Sequence, residues 1–324
     1  MEMNNRIILR EKVKEIGNPT IELARIVFRH YKTEMPDISH EIEMPSVSYP
    51  MRKYLEVFQL RADMSCGNEI STPITAIDTI PPLPFYAFIE HLGIKAPYVE
   101  EWDDDDGYTD FGNHVHIVIK NYGKLIIVYN TFVELLPWFA PFFAGKEACF
   151  RESIQDWAGV PSRLSISSLL EWEGRNDWAV TPNNRHGSMH IEIRIADAHP
   201  IESWVGACLI IWYALGLKAS PKNYYTTRQD NYYRIYDDGF NPYTSLEWKN
   251  VRPAPGVMEE EGEYTIKEVI TKVYNVVKDK MPPHTRVVVD SVVGNILAGR
   301  KVYYHGFRKL YGDLVDYFFP NFPI

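Results

Sequence analysis

The run His190-Ile191-Glu192-Ile193-Arg194-Ile195-Ala196-Asp197 alternates polar and apolar residues. A period of two is that of a β-strand, in which successive side chains leave opposite faces. Ile191, Ile193 and Ile195 then share one face, and His190, Glu192 and Arg194 share the other. The isoleucines require a core. The opposite face carries an acid and a base two residues apart, where a merely solvated strand carries Thr or Ser. His40-Glu41-Ile42-Glu43-Met44 and His114-Val115-His116-Ile117-Val118-Ile119 repeat the design. Three such segments constrain the chain to a sheet with one covered face and one face rich in acid, imidazole and guanidinium.

The rest of the chain is arranged around these strands. Residues 1–35 read as an N-terminal helical segment, with Thr20 to Phe28 following an Asn-Pro-Thr start, and Pro36-Asp37 breaks it. The first strand spans 38–44 and Pro45 closes it. Tyr54 to Leu60 is a further strand, Arg61 to Gly67 a turn-rich element, and Asn68 to Pro73 a short strand. Residues 83–94 place Phe85, Phe88, Ile89 and Leu92 at helical spacing. Leu125 to Phe143 reads as a hydrophobic helix that Pro137 and Pro141 kink or end. Asn183 to Gly187 is a turn, and Pro200 to Leu217 a buried apolar helix. Residues 219–262 read as loops and short strands. Thr265 to Lys280 is an amphipathic helix with Val269, Val273, Val276 and Val277 inward. The expected division is an N-terminal segment 1–35, a core domain 36–219, and a C-terminal extension 220–324 packed on it.

At 324 residues the chain suits one large domain or a core domain with an extension. The formal net charge of −9 argues against a dominant nucleic-acid surface. Three cysteines, Cys66, Cys149 and Cys208, are odd in number and widely spaced, which fits reduced thiols in a cytoplasmic compartment. Met1 to Glu15 is charged and does not read as a secretory leader. Trp204 to Leu217, taken as the longest apolar run, is shorter than the roughly 20 residues a membrane span needs.

Glu41 and Glu43 on one strand face stand about 6–7 Å apart. Their repulsion is relieved either by solvent at an exposed edge or by a cation between them. His114 and His116 share a face as a packed pair or as ligands, and Glu192 with Arg194 forms a same-face ion pair or part of a site. The acidic run Glu100 to Asp110 reads as a solvated loop. Nothing singles out Cys66 as a nucleophile rather than a small packed residue. The combination of carboxylates with a little imidazole suits Mg²⁺ or Mn²⁺ better than zinc, for which the cysteines are badly placed. A nucleotide on this face would be held without a Gly-rich cradle, because neither a P-loop nor a Gly-x-Gly-x-x-Gly motif occurs. There is also no Gly-x-Ser-x-Gly elbow.

Four motifs in order resemble the glutamine synthetase and glutamate–cysteine ligase superfamily, and most closely its amidoligase (carboxylate–amine ligase) branch. They are Glu41-Ile42-Glu43, Asp63-Met64-Ser65-Cys66-Gly67-Asn68-Glu69-Ile70-Ser71-Thr72-Pro73, Gly112-Asn113-His114-Val115-His116, and Ile191-Glu192-Ile193-Arg194. The helix around Trp204 follows as it does in that branch, so the likeness covers roughly residues 38–217. His40 stands where the family usually has glycine, and Asn113 where it usually has an apolar residue.

The resemblance implies an α+β fold: a curved, mostly antiparallel sheet with helices on its convex face, here with N- and C-terminal extensions. It implies ATP and Mg²⁺ (or Mn²⁺) as cofactors. Glu41, Glu43, Glu69, His114 and Glu192 would be metal ligands, with His116 near the ATP phosphates. Arg194 would bind the transferred phosphate, and Asp63 would face the substrate and orient the amine. The implied activity joins a small-molecule or peptide carboxylate to an amine through an acyl phosphate. No nucleic acid or membrane partner is expected, and a homo-oligomer is compatible with this reading. A catalytically idle relative serving as a binding protein, and an ATP-dependent phosphotransferase, are the rivals.

Overall fold

The computed structural model describes residues 35–44, 61–63, 67–72, 74–78, 112–143, 179–183, 189–196, 200–216, 228–238, 241–249, 254–300, 307–318 and 320. The helices expected over 1–35 and 83–94, the strand over 54–60 and the acidic run 100–110 lie outside the described residues.

The three alternating segments lie side by side in one sheet. Its strands are β1 (Asp37–Met44), β2 (Arg61–Asp63), β3 (Gly67–Ser71), β4 (Thr75–Ala76), β5 (Asn113–Val118), β6 (Val180–Asn183) and β7 (His190–Ile193). The order is β2-β3-β1-β5-β7-β6, with β4 also paired to β1, and every pairing is antiparallel. The sheet is open, and the fold is α+β. Ile38, Ile42, Ile70, Val115, Ile117, Ile191 and Ile193 are buried on its apolar face. Arg61–Asp63, read from the sequence as a turn, is a strand because β3 pairs with it across a short return. β7 stops at Ile193 rather than Asp197. Pairing nevertheless continues irregularly, with Arg194 N donating to Ala179 O and Asn113 N to Ala196 O.

Two apolar helices pack on that face, α1 (Tyr122–Phe143) and α2 (Pro200–Gly216). α1 begins where Asn121 caps it, its Oδ1 accepting from Lys124 N at 3.0 Å. It runs through Pro137 and Pro141 without ending. A proline leaves the carbonyl four residues back without its amide donor. Here the Tyr232 hydroxyl donates to Val133 O at 3.4 Å, satisfying the carbonyl that Pro137 abandons. α1 is longer than the Trp204–Leu217 run and is long and apolar enough to cross a membrane by composition. It is buried along most of its length, between the sheet and other helices.

The segment 219–262, expected as loops and short strands, contains a helix, α3 (Arg228–Asp238), and the strand β8 (Ser245–Trp248), which pairs with β9 (Gly262–Thr265). α3 shows no legible apolar stripe: among its described side chains the buried ones are Asn231, Tyr232 and Ile235, in an otherwise polar stretch. α4 (Ile266–Val277) starts at a capping box in which Thr265 Oγ1 accepts from Glu268 N and Glu268 accepts from Thr265 N. Val269, Val273 and Val277 are buried as expected, and Val276 is half-buried. A 3₁₀ turn (Lys278–Lys280) follows, then α5 (Pro283–Leu297) and α6 (Phe307–Phe318).

Candidate functional site

Residues directly opposite in an antiparallel pair share a face. Across the sheet, Glu43 faces Glu69 and Glu69 faces Arg61. Glu41 faces His114, and His116 faces Glu192. These three rows bring Glu41, Glu43, Glu69, His114, His116 and Glu192 onto the face opposite the isoleucines, although they span 151 positions of chain (192 − 41).

The side chains converge. His114 Nδ1 stands 3.9 Å from Glu41 Oε2 and 3.7 Å from Glu192 Oε1, and its Nε2 is 4.0 Å from Glu43 Oε1. His116 Nε2 lies 3.1 Å from Glu41 Oε2, and its Nδ1 is 3.1 Å from His190 Nε2. Arg61 Nη1 is 4.0 Å from both Glu41 and Glu69. Glu192 is 1% exposed and held at both oxygens: Arg194 Nη1 donates to Oε1 at 2.7 Å, and Asn183 Nδ2 donates to Oε2 at 2.5 Å. Glu43 Oε2 accepts from the Gly112 amide at 2.7 Å. Arg194, expected on a phosphate, is turned onto Glu192. Asp63 ends β2 opposite Gly67, and its side chain lies outside the described ones.

The electrostatics follow from burial among unlike charges. Burial alone would raise the Glu192 carboxyl, but His114, Arg194, His116 and the Asn183 hydrogen bond outweigh it and hold it at about 2. Glu41 is held below the usual carboxylate range in the same way: burial opposes ionisation, and the His116 contact with the charges of His116 and His114 overcomes it. His114 is pushed down to about 4, chiefly by burial and then by Arg194. At neutral pH the face therefore presents carboxylates and a neutral imidazole with a free lone pair. His114 assists Glu192 only below its own titration, so near neutrality Arg194 and Asn183 keep that carboxylate ionised.

Carboxylates with neutral imidazole are the donor chemistry of a hard divalent cation. His114 Nδ1 stands 3.9 Å from Glu41 Oε2 and 3.7 Å from Glu192 Oε1, between the edge, about 3 Å, and the diagonal, about 4 Å, of an octahedron with metal–oxygen distances near 2.1 Å. The donor set fits, but the ligand shell is not closed. Among the described residues no three His, Cys, Asp or Glu side chains form a ready-made metal cluster.

Of the residues on this face, the sequence singles out His190 by its alternation but not Asn183, Arg61 or Gly112. Asn183 was read as the start of a turn. Reading 180–193 as a hairpin would have paired Asn183 with His190 and put both on the Glu192 face. His40 points the other way. It is buried on the core face, where its Nδ1 is 3.0 Å from Asn113 Oδ1, and burial drives it down to about 3. His40 and Asn113 thus meet each other across β1 and β5.

No family model matches the chain, and no curated protein matches it. Among solved structures, the crystal structure of the complex between the prokaryotic ubiquitin-like protein Pup and its ligase PafA is similar at a TM-score of 0.40 and 12% identity, over 88% of this chain and 69% of that one. That likeness is loose.

Proposed function

We propose that the polar face is the site of an ATP- and Mg²⁺-dependent amidoligase, which joins a carboxylate to an amine. The observation that supports this is the convergence of Glu41, Glu43, Glu69, His114, Glu192 and Arg194 on one face of one sheet. Like charges are costly to hold together unless a cation completes them. Glu41, Glu43, Glu69, His114 and Glu192 would hold the divalent cation. When bound, it offsets the charge of the triphosphate and polarises the phosphorus for attack.

The substrate carboxylate attacks the γ-phosphorus of ATP, and ADP leaves. Arg194, two residues from Glu192 on the same strand, releases that carboxylate and offsets charge on the transferred phosphate. His116 lines the ATP phosphates. The amine then displaces phosphate from the acyl phosphate, forming the amide. Its proton passes to a carboxylate of the face, with Asp63 orienting the amine.

The test is binding and turnover together. Wild-type protein titrated with Mn²⁺ and with Mg·ATP is expected to bind both. A Glu192→Ala variant is expected to bind them at least tenfold more weakly, and unchanged affinity rules out the assignment. Phosphate release from ATP on adding candidate acids and amines establishes ligase turnover.

A second reading is favoured by one contact. The Arg61 guanidinium, 4.0 Å from Glu41 and Glu69, sets a protein cation beside two of the carboxylates that would hold the metal. An idle relative acting as a binding protein needs no more than that. It is distinguished by an absence of phosphate release with every acid and amine tried, and by Arg61→Ala lowering stability without raising Mn²⁺ affinity.

A further inference from the structure

We propose that His40 and Asn113 are positioning residues: their hydrogen bond locks the register of β1 on β5 and so decides which carboxylate faces His114. The pair lies on the apolar side, 1% and 0% exposed, among isoleucines and valines. His40 Nε2 and Asn113 Nδ2 have no hydrogen-bond partner among the described residues. A buried polar atom left without a partner costs about 1–3 kcal/mol, so an aliphatic pair would suit stability at least as well. The polar pair must supply something that aliphatic residues cannot.

What it supplies is discrimination between registers. In the observed register Ile38 faces Ile117, His40 faces Val115 and Ile42 faces Asn113. A slip of one residue would turn every isoleucine outward and is excluded by burial. A slip of two residues that sets β1 against positions further along β5 is not. It would set Ile38 against Ile119, His40 against Ile117 and Ile42 against Val115, all apolar contacts on the same face. On the polar side it would move Glu43 opposite His114 and Glu41 opposite His116, dismantling the observed rows. The hydrophobic pattern is blind to this error. The His40–Asn113 bond is not, because the slip carries the two residues about 13 Å apart along the strands. On the other side of His40 the backbone is held by Thr72, whose Oγ1 accepts from His40 N at 2.8 Å and whose N donates to His40 O at 2.8 Å. Those bonds fix β1 to the β3 side; on the β5 side the side-chain pair acts together with Gly112, whose O accepts from Glu43 N at 3.0 Å and whose amide donates to Glu43 Oε2.

The purpose of the lock rests on the proposed function, but its existence does not, and the test separates them. Backbone nuclear Overhauser contacts between β1 and β5 report the register, and Mn²⁺ titration reports the site. In the His40→Leu/Asn113→Leu variant the expected result is a folded protein that melts at or above the wild-type temperature. It should show Glu43–His114 backbone contacts beside Glu41–His114 ones, with Mn²⁺ affinity reduced tenfold or more. If the double variant keeps the native register alone, the proposal is overturned. If the register is mixed while Mn²⁺ affinity is unchanged, the lock stands and the metal-site reading fails. Should the double variant not fold, His40→Gln, whose amide still donates to Asn113, is compared with Asn113→Val. Native register in the first and a mixed one in the second supports the lock, and the same register in both overturns it.

Discussion

Single residues on the polar face are held by bonds that leave little slack. Gly112 is one such residue. Its amide donates to Glu43 Oε2, and a Cβ built there would meet that oxygen at 3.0 Å. The oxygen is the tip of a side chain, so it yields rather than breaking the fold. Gly112→Ala is expected to weaken Mn²⁺ binding severalfold while lowering stability by no more than about 1 kcal/mol, read by titration and by urea denaturation. His40 carries a pH dependence with a definite sign. Its folded value, about 3, lies below the unfolded 6.5, so between those values the unfolded chain binds the proton that the folded chain refuses. Its contribution is complete above pH 6.5 and is lost as pH falls toward 3, by about 1.4 kcal/mol per unit. His114 acts in the same direction down to about 4, and Glu192, held at about 2, adds a loss below 4.5. Urea midpoints in metal-free buffer at pH 7, 6 and 5 should therefore fall. The fall should be shallower in the His40→Leu/Asn113→Leu variant, and parallel curves would contradict the assignment.

Among the elements, α1 and α2 cross in close contact. Gly206 lies so close to α1 that an added Cβ would meet Phe142 Cβ at 2.6 Å and a Phe143 ring carbon at 3.2 Å. Phe142 Cβ lies against its own backbone and the Phe143 ring is fully buried, so neither is the free end of a flexible chain. Gly206→Ala gains helix propensity of about 0.8–1.0 kcal/mol. Overpacking costs about 1–3 kcal/mol, and the expected net effect is destabilisation, visible as a lower thermal midpoint. An unchanged or raised midpoint would mean that the helices can separate freely. The prolines of α1 teach a related point. Pro137 reads locally as a helix breaker, yet the helix continues because α3, ninety-odd residues later, brings Tyr232 to the abandoned carbonyl.

For the whole molecule, the question is what covers the two apolar helices. The sheet takes one side. Parts of the C-terminal third take others: Trp138 meets Trp248 edge-on with ring centroids 5.8 Å apart and donates to Tyr264 O at 3.2 Å. Tyr213 donates to Pro255 O, and the Tyr311 hydroxyl donates to Glu202 Oε1 at 2.8 Å in the core. A chain cut after residue 219 would lose all four contacts and bare much of α1 and α2. It is expected to be insoluble or to bind a hydrophobic dye strongly. A soluble, cooperatively melting fragment would show that 220–324 is a separable unit.

The amino-acid sequence by itself determined the periods: which stretches alternate as strands, which side of each strand is apolar, and that acids, imidazoles and a guanidinium share the other side. Those properties are local, because side-chain direction along a strand depends on position parity alone. Glu41, Glu43, His114, Glu192 and Arg194 were legible for that reason, and Glu69 only through the motif it shares with the family the chain resembles. Only the tertiary structure decided the order β2-β3-β1-β5-β7-β6, the opposition of Glu41 to His114 and of His116 to Glu192, and the turning of His40 onto Asn113. It also decided that α1 survives its prolines and that Asn183 and Arg61 join the site. Each of these depends on a partner far away in the chain, and parity does not say which strand, at which register, will supply it.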